Sequence, residues 1–532
     1  MDAMSSEAAV EEQAPVIVVD NPRTGEELYT IPEPTVAAVD QVYATADRAF
    51  AKLRAMSVRE RLDEVDKLKH YILENRDKLA RQIVAETGKC QMDAMIMEVF
   101  AAIDIINFYQ KNAVRILADK KVKTPIMLAG KKSKVFYEPM GPVLIISPWN
   151  YPFHLSFVPS VCALVAGNPV ILKPSRFTPL RGLIEEMVEK SGFLPGAFQV
   201  VYASRKTAGR LIEKRPAKIH FTGSVGAGKK IMAQAAQHLI PVELELGGKD
   251  PMIVFEDVNM ERTVNGALWG GMANCGQTCT SVERIFVHES VYDEFTASLQ
   301  EKAQKLRTLE KDKAPDDELE LGVGCMTAEF QIEEIEGQIA EAKERGARFL
   351  TGGAREAGSH VFPPTIVADV DNTMQIQCEE SFGPVITVSK FREEQGAIDM
   401  ANDSPYGLSA SVWSKDLVRA ERVARAIVTG NVSINNVCAT QGNPALPFGG
   451  VKDSGFGRYR GEWGLHAFSN VKSILIDKQS SRLESYWYPY SKEKYRLMSK
   501  VIETVFNGGP LGILKTARIA LQLDRLARKD RL

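Results

Sequence analysis

The sequence predicts an α/β protein in which helices alternate with short apolar strands that pair into a largely parallel, doubly wound sheet. Three observations carry this. Pro142 to Ile146, Pro169 to Leu172, Phe198 to Tyr202 and Lys218 to Phe221 are apolar runs of strand length, separated by helical stretches such as Arg181 to Lys190. The glycines of Gly223-Ser-Val-Gly-Ala-Gly228 follow the last of these strands and open a helix. At 532 residues the chain exceeds one ordinary core, which predicts two or three domains.

In chain order, Met1 to Gln13 is acidic and rich in small residues, and disorder is expected there. Asn21-Pro-Arg-Thr-Gly25 is a turn between short strands. From Val36 to Ala118 apolar residues recur every three or four positions, as at Leu62, Val65, Leu68 and Tyr71, which is helical. The apolar strands follow, and after Gly248 a second α/β unit runs to about Gly450. Lys311 to Glu320 reads as a charged surface loop, and Val122 to Met140 and Asn470 to Lys478 as separate extended pieces. The tail carries an aromatic cluster, Tyr486-Trp-Tyr-Pro-Tyr490, then two amphipathic stretches around Gly508-Gly-Pro510. Leu497, Val501, Ile502 and Val505 are expected on one helical face, and Leu514, Ala517, Leu521 and Leu526 on another.

Composition excludes several classes. A net charge of −2 argues against a nucleic-acid protein, which would carry a strong basic excess. Seven cysteines, an odd number scattered along the chain, do not make a disulfide framework and suit a reducing compartment. No CxxC occurs and the seven histidines are dispersed, so no metal site is expected. The first residues lack a basic segment followed by an apolar stretch, and no apolar run reaches the ~18 residues of a spanning helix. The expected location is the cytoplasm.

The chemistry is concentrated in two segments. Glu245, in Pro241-Val-Glu-Leu-Glu-Leu-Gly-Gly-Lys-Asp250, stands thirty-four positions before Cys279, in Asn274-Cys-Gly-Gln-Thr-Cys-Thr280. A thiol and a water-activating carboxylate are the two parts needed to oxidise an aldehyde through a covalent intermediate. Cys275, four residues before Cys279, is either a redox partner of it or a packed spectator.

Seven segments in order give the chain a family likeness. They are Ser147-Pro-Trp-Asn-Tyr-Pro152, Leu172-Lys-Pro-Ser175, Phe221-Thr-Gly-Ser224 with Gly228, Leu244-Glu-Leu-Gly-Gly248, Gly276-Gln-Thr-Cys279, Glu380-Ser-Phe-Gly-Pro384 and Pro447-Phe-Gly-Gly450. From about Val19 to Lys478 the chain resembles the NAD(P)-dependent aldehyde dehydrogenases, with most likeness to the class taking aromatic and fatty aldehydes. The resemblance implies a Rossmann-type cofactor domain (19–120 and 141–247), an α/β catalytic domain (248–450) and oligomerisation segments (121–140 and 470–490) that build a homodimer or homotetramer. It leaves residues 1–18 as a disordered N-terminus and 491–532 as a basic tail.

By the same resemblance, Cys279 is the nucleophile and Glu245 the base, while Asn150 and the Cys279 amide form an oxyanion hole. Lys173 bonds the adenosine ribose and Glu380 the nicotinamide ribose, with Trp149 and Phe382 as walls. Ser147, Pro148, Ser175, Gly223, Ser224, Gly228 and Leu246 complete the cofactor site, and no metal is needed. Arg176 departs from the glutamate that many NAD-preferring members carry three residues after the lysine. A guanidinium there attracts a 2′-phosphate, which favours NADP or dual use; the plain alternative is an arginine in water. Ala203-Ser204-Arg205 replaces a segment where the family commonly has glycine.

The glutamate at 245 argues for hydrolysis over acyl transfer to coenzyme A, and the intact set of residues argues against a non-catalytic binding protein. The expected substrate is a medium- to long-chain aliphatic or aromatic aldehyde, with a semialdehyde or amino-aldehyde as the alternative. Residues 491–532 hold ten Lys or Arg against four Asp or Glu. Such a tail can lie on an anionic membrane surface, pack across a subunit interface or cover the active-site mouth.

Overall fold

The computed structural model describes residues 16–125, 128, 130–309, 318–478, 483–507 and 509–529. The expected disorder of Met1 to Gln13 and most of the Lys311 to Glu320 loop lie outside these residues. Two compact units are present, one of residues up to Ala118 with Tyr137–Val471, the other of Asp119–Phe136 with Lys472–Leu532.

The first unit contains two large sheets and a two-stranded antiparallel one, Val16–Asp20 with Glu27–Pro32. In the six-stranded sheet the order is Gly455–Phe456, Val242–Glu245, Lys218–Thr222, Val143–Ile146, Val170–Lys173, Phe198–Val200. All neighbours run parallel except the short Gly455–Phe456 edge, which pairs antiparallel with Val242–Glu245. The chain starts at the central Val143–Ile146 strand, steps to one side, then returns to the other side through Lys218–Thr222. Strand order therefore reverses between these two strands, and the carboxyl ends flanking that point open a crevice where open α/β sheets collect ligands.

The seven-stranded sheet runs Arg348–Thr351, Thr365–Ala368, Val385–Phe391, Val282–His288, Asp250–Val254, Ser409–Trp413, Asn431–Ile434, antiparallel only at its first pair. It begins just after the four residues that follow Glu245, so Glu245 and Cys279 stand close to the switch from one sheet to the next. The division at 450 expected from sequence does not take in Gly455–Phe456, which belongs to the first sheet.

The long helices Val36–Ala55, Val58–Thr87 and Ala101–Ile116 precede the first sheet. Val58–Thr87 opens with a capping box between Ser57 and Glu60 and stops at Gly88 (φ 75°), a left-handed position that suits glycine. The helix expected over Arg181 to Lys190 is Leu183–Ser191, because Gly182 at φ 76° breaks the backbone just before it. Ile83, Val84, Tyr109, Phe153 and Phe157 pack with the Val143–Ile146 and Val170–Lys173 strands into the largest buried cluster.

Ser469–Ile476, Lys132–Pro139 and Lys120–Val122 form a three-stranded sheet, most of whose residues belong to the second unit. The tail forms two helices, Lys492–Phe506 and Gly509–Lys529, packed as a hairpin through Leu497, Val501 and Leu523. Of the expected helical faces, Ile502 departs from the buried side of Leu497 and Val501, whereas Leu514, Ala517 and Leu521 do share one face, which points outward. Ile502, Leu514, Ala517 and Leu521 are exposed, while Thr516, Leu523 and Ala527 turn inward. The cause is Gly512: a Cβ there would stand 2.3 Å from the Thr504 carbonyl, so its bare backbone faces the partner helix and sets the rotation. Among the described residues no helix is long and apolar enough to cross a membrane.

Candidate active site

Cys279 follows a loop whose backbone is held in an unusual shape. Asn274 and Cys275 both have φ of 55°, and Gly276 follows at 70°. Only glycine fits at 276, since a Cβ would lie 1.9 Å from the Gly383 carbonyl. The loop is tied by side chains that leave little slack. Gln277 Nε2 donates to the Asn274 carbonyl at 3.0 Å while its Oε1 accepts from the Thr327 amide at 2.8 Å. The Asn274 amide donates to Asp93 at 2.9 Å, and the Tyr151 and Thr278 hydroxyls are 2.6 Å apart. Such redundancy is how a strained backbone persists.

Cys279 is half-buried, whereas Cys275 is fully buried in the core of the seven-stranded sheet. That separates the two cysteines: Cys279 lines a cavity, and Cys275 packs against Ile, Val and Met side chains. A different thiol, Cys438, lines the same cavity and donates to the Thr280 carbonyl at 3.3 Å. Burial, then the carboxyls of Glu380, Asp250 and Glu245, push the Cys279 thiol well above its ordinary range. The site by itself therefore holds this sulfur as a thiol, and a base must take its proton.

Glu245 ends the Val242–Glu245 strand, is 3 % exposed, and finds no hydrogen-bond partner among the described residues for either carboxylate oxygen. Burial and the neighbouring Glu243 raise its pKa well above the carboxylate range, against the pull of Arg458 and Arg460. Burial without a hydrogen-bond partner favours the proton-bound form of this carboxyl, which makes it a candidate for proton exchange.

Asn150 is 2 % exposed. Its Nδ2 donates to the Gln277 carbonyl at 2.9 Å, which fixes the amide's direction and leaves a second N–H on the same nitrogen. The Asn150 backbone carbonyl accepts from Lys89 Nζ at 2.7 Å and from Asn274 Nδ2 at 3.0 Å. Lys89 pairs with Glu98 at 2.5 Å, both side chains 0 % exposed, and Glu98 also accepts the Phe153 and His154 amides at 2.8 and 3.2 Å. Glu98 sits in a single wide helical turn, Ala94–Phe100, between ordinary helical segments. Sequence reasoning missed Lys89 and Glu98 because a Lys and a Glu nine positions apart on a helical stretch look like solvated charges.

The remaining predicted residues gather at the crevice of the six-stranded sheet or border it. Ser147 and Lys173 end adjacent parallel strands, joined by the Ser147 amide and the Lys173 carbonyl at 3.1 Å; the Ser147 hydroxyl is 2.7 Å from that of Ser156. Pro148 and Trp149 follow directly, and Trp149 meets Phe382 edge to face at 5.3 Å. Ser224 caps the helix Val225–Ala236 by accepting the Ala227 amide. Glycine at 228 makes room for Leu246, since a Cβ there would stand 2.7 Å from one of its methyl groups. Glu380 accepts the Gly248 amide at 3.0 Å, and Gly247 leaves room for it, since a Cβ there would lie 2.0 Å from the carboxylate. Burial and Glu283 raise Glu380 to about 8. The segment carrying Glu380 and Phe382 is anchored by Glu283, which accepts the Ser381 and Phe382 amides at 2.8 and 3.0 Å and pairs with buried Lys249 at 2.5 Å.

Lys173 sits in a cluster of cations. Burial, Arg176 and Arg205 lower its pKa to about 8, and Glu33 alone works the other way. Arg176 is exposed, with its guanidinium 4.7 Å over the Phe177 ring, and Ser175 accepts the Phe177 amide at 3.3 Å. Ser204 Oγ donates to Glu33 at 2.9 Å and caps the helix Arg205–Glu213. A cluster short of negative charge, beside a crevice that ends in a helix N-terminus, fits a phosphorylated dinucleotide. Among the described residues there is no group of three or more His, Cys, Asp or Glu arranged to hold a metal.

The cavity at Cys279 is lined largely by apolar side chains, among them Ile96, Met97, Phe100, Leu155, Val158 and Phe448. Arg460, in its wall, donates to the Gln441 carbonyl at 2.5 Å and faces His154 Nε2 at 2.5 Å. Burial and the Arg460 charge keep His154 far below its ordinary pKa, hence neutral.

Comparison with known proteins places this geometry. The model for the aldehyde dehydrogenase family matches residues 9–474. A 4,4′-diapolycopene aldehyde oxidase of Methylomonas sp is 38 % identical over 92 % of this chain and 91 % of its own length. The NADP-dependent succinate-semialdehyde dehydrogenase of Escherichia coli (strain K12) is 35 % identical over 86 % of this chain and 94 % of its own. A Mycobacterium tuberculosis aldehyde dehydrogenase solved with NAD+ superposes with a TM-score of 0.82 at 32 % identity, covering 87 % of this chain and 95 % of that one.

Proposed function

The chain belongs to the aldehyde dehydrogenase family, an NAD(P)-dependent oxidoreductase acting on aldehydes, and from that premise we propose that it oxidises a medium- to long-chain aliphatic or aromatic aldehyde to its acid, with NADP preferred. The observation that carries the substrate reading is the apolar lining of the cavity that ends at Cys279. A semialdehyde would bring a carboxylate against that lining. Arg460 spends donors on Gln441 and confronts His154, which leaves it a poor receptor for such a group.

In this reading Glu245 or a water beside it takes the Cys279 proton, and the sulfur bonds to the aldehyde carbon. The charge that develops on the carbonyl oxygen meets the second Nδ2–H of Asn150 and the Cys279 amide. Preorganised donors of this kind lower a barrier by ~3 kcal/mol each. Bound nicotinamide supplies the acceptor for the hydride that leaves the same carbon, and a thioester on Cys279 remains. Once the first proton has passed from Glu245 to solvent, Glu245 takes a proton from water; the water oxygen bonds to the acyl carbon, the C–S bond breaks, the Cys279 thiolate so released takes that proton back, and the acid departs. Lys173, Arg176 and Arg205 would hold the adenosine end with its 2′-phosphate, Ser224 and the amides after it the pyrophosphate, and Glu380 the nicotinamide ribose.

Ser469–Ile476 is an edge strand with exposed Val471, Ile474 and Leu475, which supports pairing with a second copy in a homodimer or homotetramer. The enzyme works in the cytoplasm, with peripheral membrane contact through its basic tail bringing it to aldehydes that partition into lipid. The test of function is reduced-nicotinamide formation over an aldehyde series of rising chain length. A kcat/KM that climbs with length supports the substrate reading, and flat or falling values overturn it. Cys279→Ala should abolish turnover while Cys275→Ala keeps it; loss in the second alone would overturn the assignment of the nucleophile.

A further inference from the structure

The tail hairpin has a tip with no charge on it. From Thr504 to Leu514 there are eleven residues and no Asp, Glu, Lys or Arg. Yet large apolar side chains within it are open to solvent: Phe506 is 80 % exposed, Leu511 69 % and Leu514 66 %. Exposure of that much apolar surface within one short segment is unusual for a soluble face and marks an interaction surface. The hairpin's own core is already satisfied without these side chains, by Leu497, Val501 and Leu523.

Positive charge predominates around the tip. Exposed Glu503 and Lys515 bound it, and Arg496, Lys500, Arg518, Arg525 and Lys529 lie farther along the two helices, all exposed. The acids are fewer and partly engaged: Glu493 pairs with Arg496 at 2.6 Å, and Asp524 is buried and pairs with Arg528 at 3.1 Å. Tyr495, Ile502 and Phe506 share an exposed stripe at helical spacing, and Tyr488 and Tyr490 are exposed just before the first helix.

We propose that this hairpin docks on an anionic lipid surface, its apolar tip sunk among the acyl chains and its basic residues at the headgroups. The inference gives the peripheral membrane contact proposed above a specific device. An uncharged apolar tip flanked by an excess of cations over acids matches a bilayer, which offers an apolar layer beneath a negative one. A protein partner would need no such layering. The tyrosines sit where aromatic side chains favour the interface. Neither helix spans the bilayer, so the hairpin enters one leaflet and returns.

The test is sedimentation of the full-length enzyme with phosphatidylcholine vesicles, with and without phosphatidylserine, and with no aldehyde present, so the result is independent of the substrate reading. The wild type is expected to bind the phosphatidylserine vesicles at least tenfold more tightly than neutral ones and to be released by salt. Phe506→Ser/Leu511→Ser/Leu514→Ser and Lys500→Glu/Lys515→Glu/Arg518→Glu should each weaken that binding at least tenfold, at unchanged turnover of a short water-soluble aldehyde. A wild type that stays in the supernatant overturns the proposal, and so does either variant sedimenting like wild type. A fall in oligomer mass for the tip variant, seen by light scattering, would assign the face to a second copy and overturn it too. Should the triple variants fail to fold, Phe506→Trp offers a single-site probe. Quenching of its added emission by brominated acyl chains supports insertion, and no quenching overturns it.

Discussion

Replacing Lys89 by Met would leave the Glu98 carboxylate in the interior without its cation. Both side chains are 0 % exposed and 2.5 Å apart. The amides of Phe153 and His154, at 2.8 and 3.2 Å, would remain as the carboxylate's donors. Removing one partner of a buried pair costs ~3–5 kcal/mol, because the other charge stays uncompensated. The same substitution removes the 2.7 Å donor from the Asn150 carbonyl, leaving only Asn274 at 3.0 Å. A complete loss of an oxyanion donor lowers kcat by ~10²–10³. A donor displaced by a few tenths of an ångström should then cost ~10–100-fold.

The double variant Lys89→Met/Glu98→Leu removes both charges. Replacing a buried pair by apolar groups is often neutral, so most of the stability should return. Turnover should not return, because nothing has replaced the donor to Asn150. The assay is urea unfolding of the single and double variants alongside single-turnover formation of reduced nicotinamide. If the single variant lost less than ~1 kcal/mol, or if the double variant recovered full turnover, the pair would be packing alone and the positioning argument would fail.

Glu245→Gln should stall deacylation: a burst of about one reduced nicotinamide per active site, then a steady rate lowered ~10²–10⁴-fold; a variant with no burst would place Glu245 before hydride transfer instead. Arg176→Glu should raise the Kd for NADP by ~10–100-fold while leaving NAD binding little changed or improved, measured by fluorescence titration. Gly276→Ala sets a methyl 1.9 Å from the Gly383 carbonyl at a φ of 70°, so activity should fall by more than tenfold even where the protein folds; near-normal kcat would refute the rigidity assigned to the Cys279 loop. Glu380 is held at about 8 against an ordinary value of 4.5. Its folded form binds the extra proton, so its contribution to stability is complete below about pH 4.5 and is lost as pH rises through 8. Glu380→Gln should flatten that part of the stability–pH curve, and a curve identical to wild type would contradict it.

Much of this protein was written in short words of sequence. Continuous apolar runs such as Val143–Ile146 cannot lie on a half-exposed sheet, so a doubly wound parallel architecture followed from them directly. Gly276, Gly247 and Gly228 were legible as motif glycines, and their reason is steric: each Cβ would strike a carbonyl, a carboxylate or Leu246. The family and its NAD(P) chemistry followed from seven such words in order. What only tertiary structure decided was which charges are buried and which faces are outward. Lys89, Glu98, Lys249 and Glu283 read as ordinary polar residues along the chain, yet they fasten the Asn150 and Phe382 segments from inside. Arg205 reads as one more surface arginine until the fold sets it beside Lys173. In the tail, amphipathic spacing gave two candidate faces but not which of them is buried, because helix rotation is set by Gly512 against Thr504. Local periodicity records that a side chain is apolar, but burial depends on what the rest of the chain brings against it, and that information is not local.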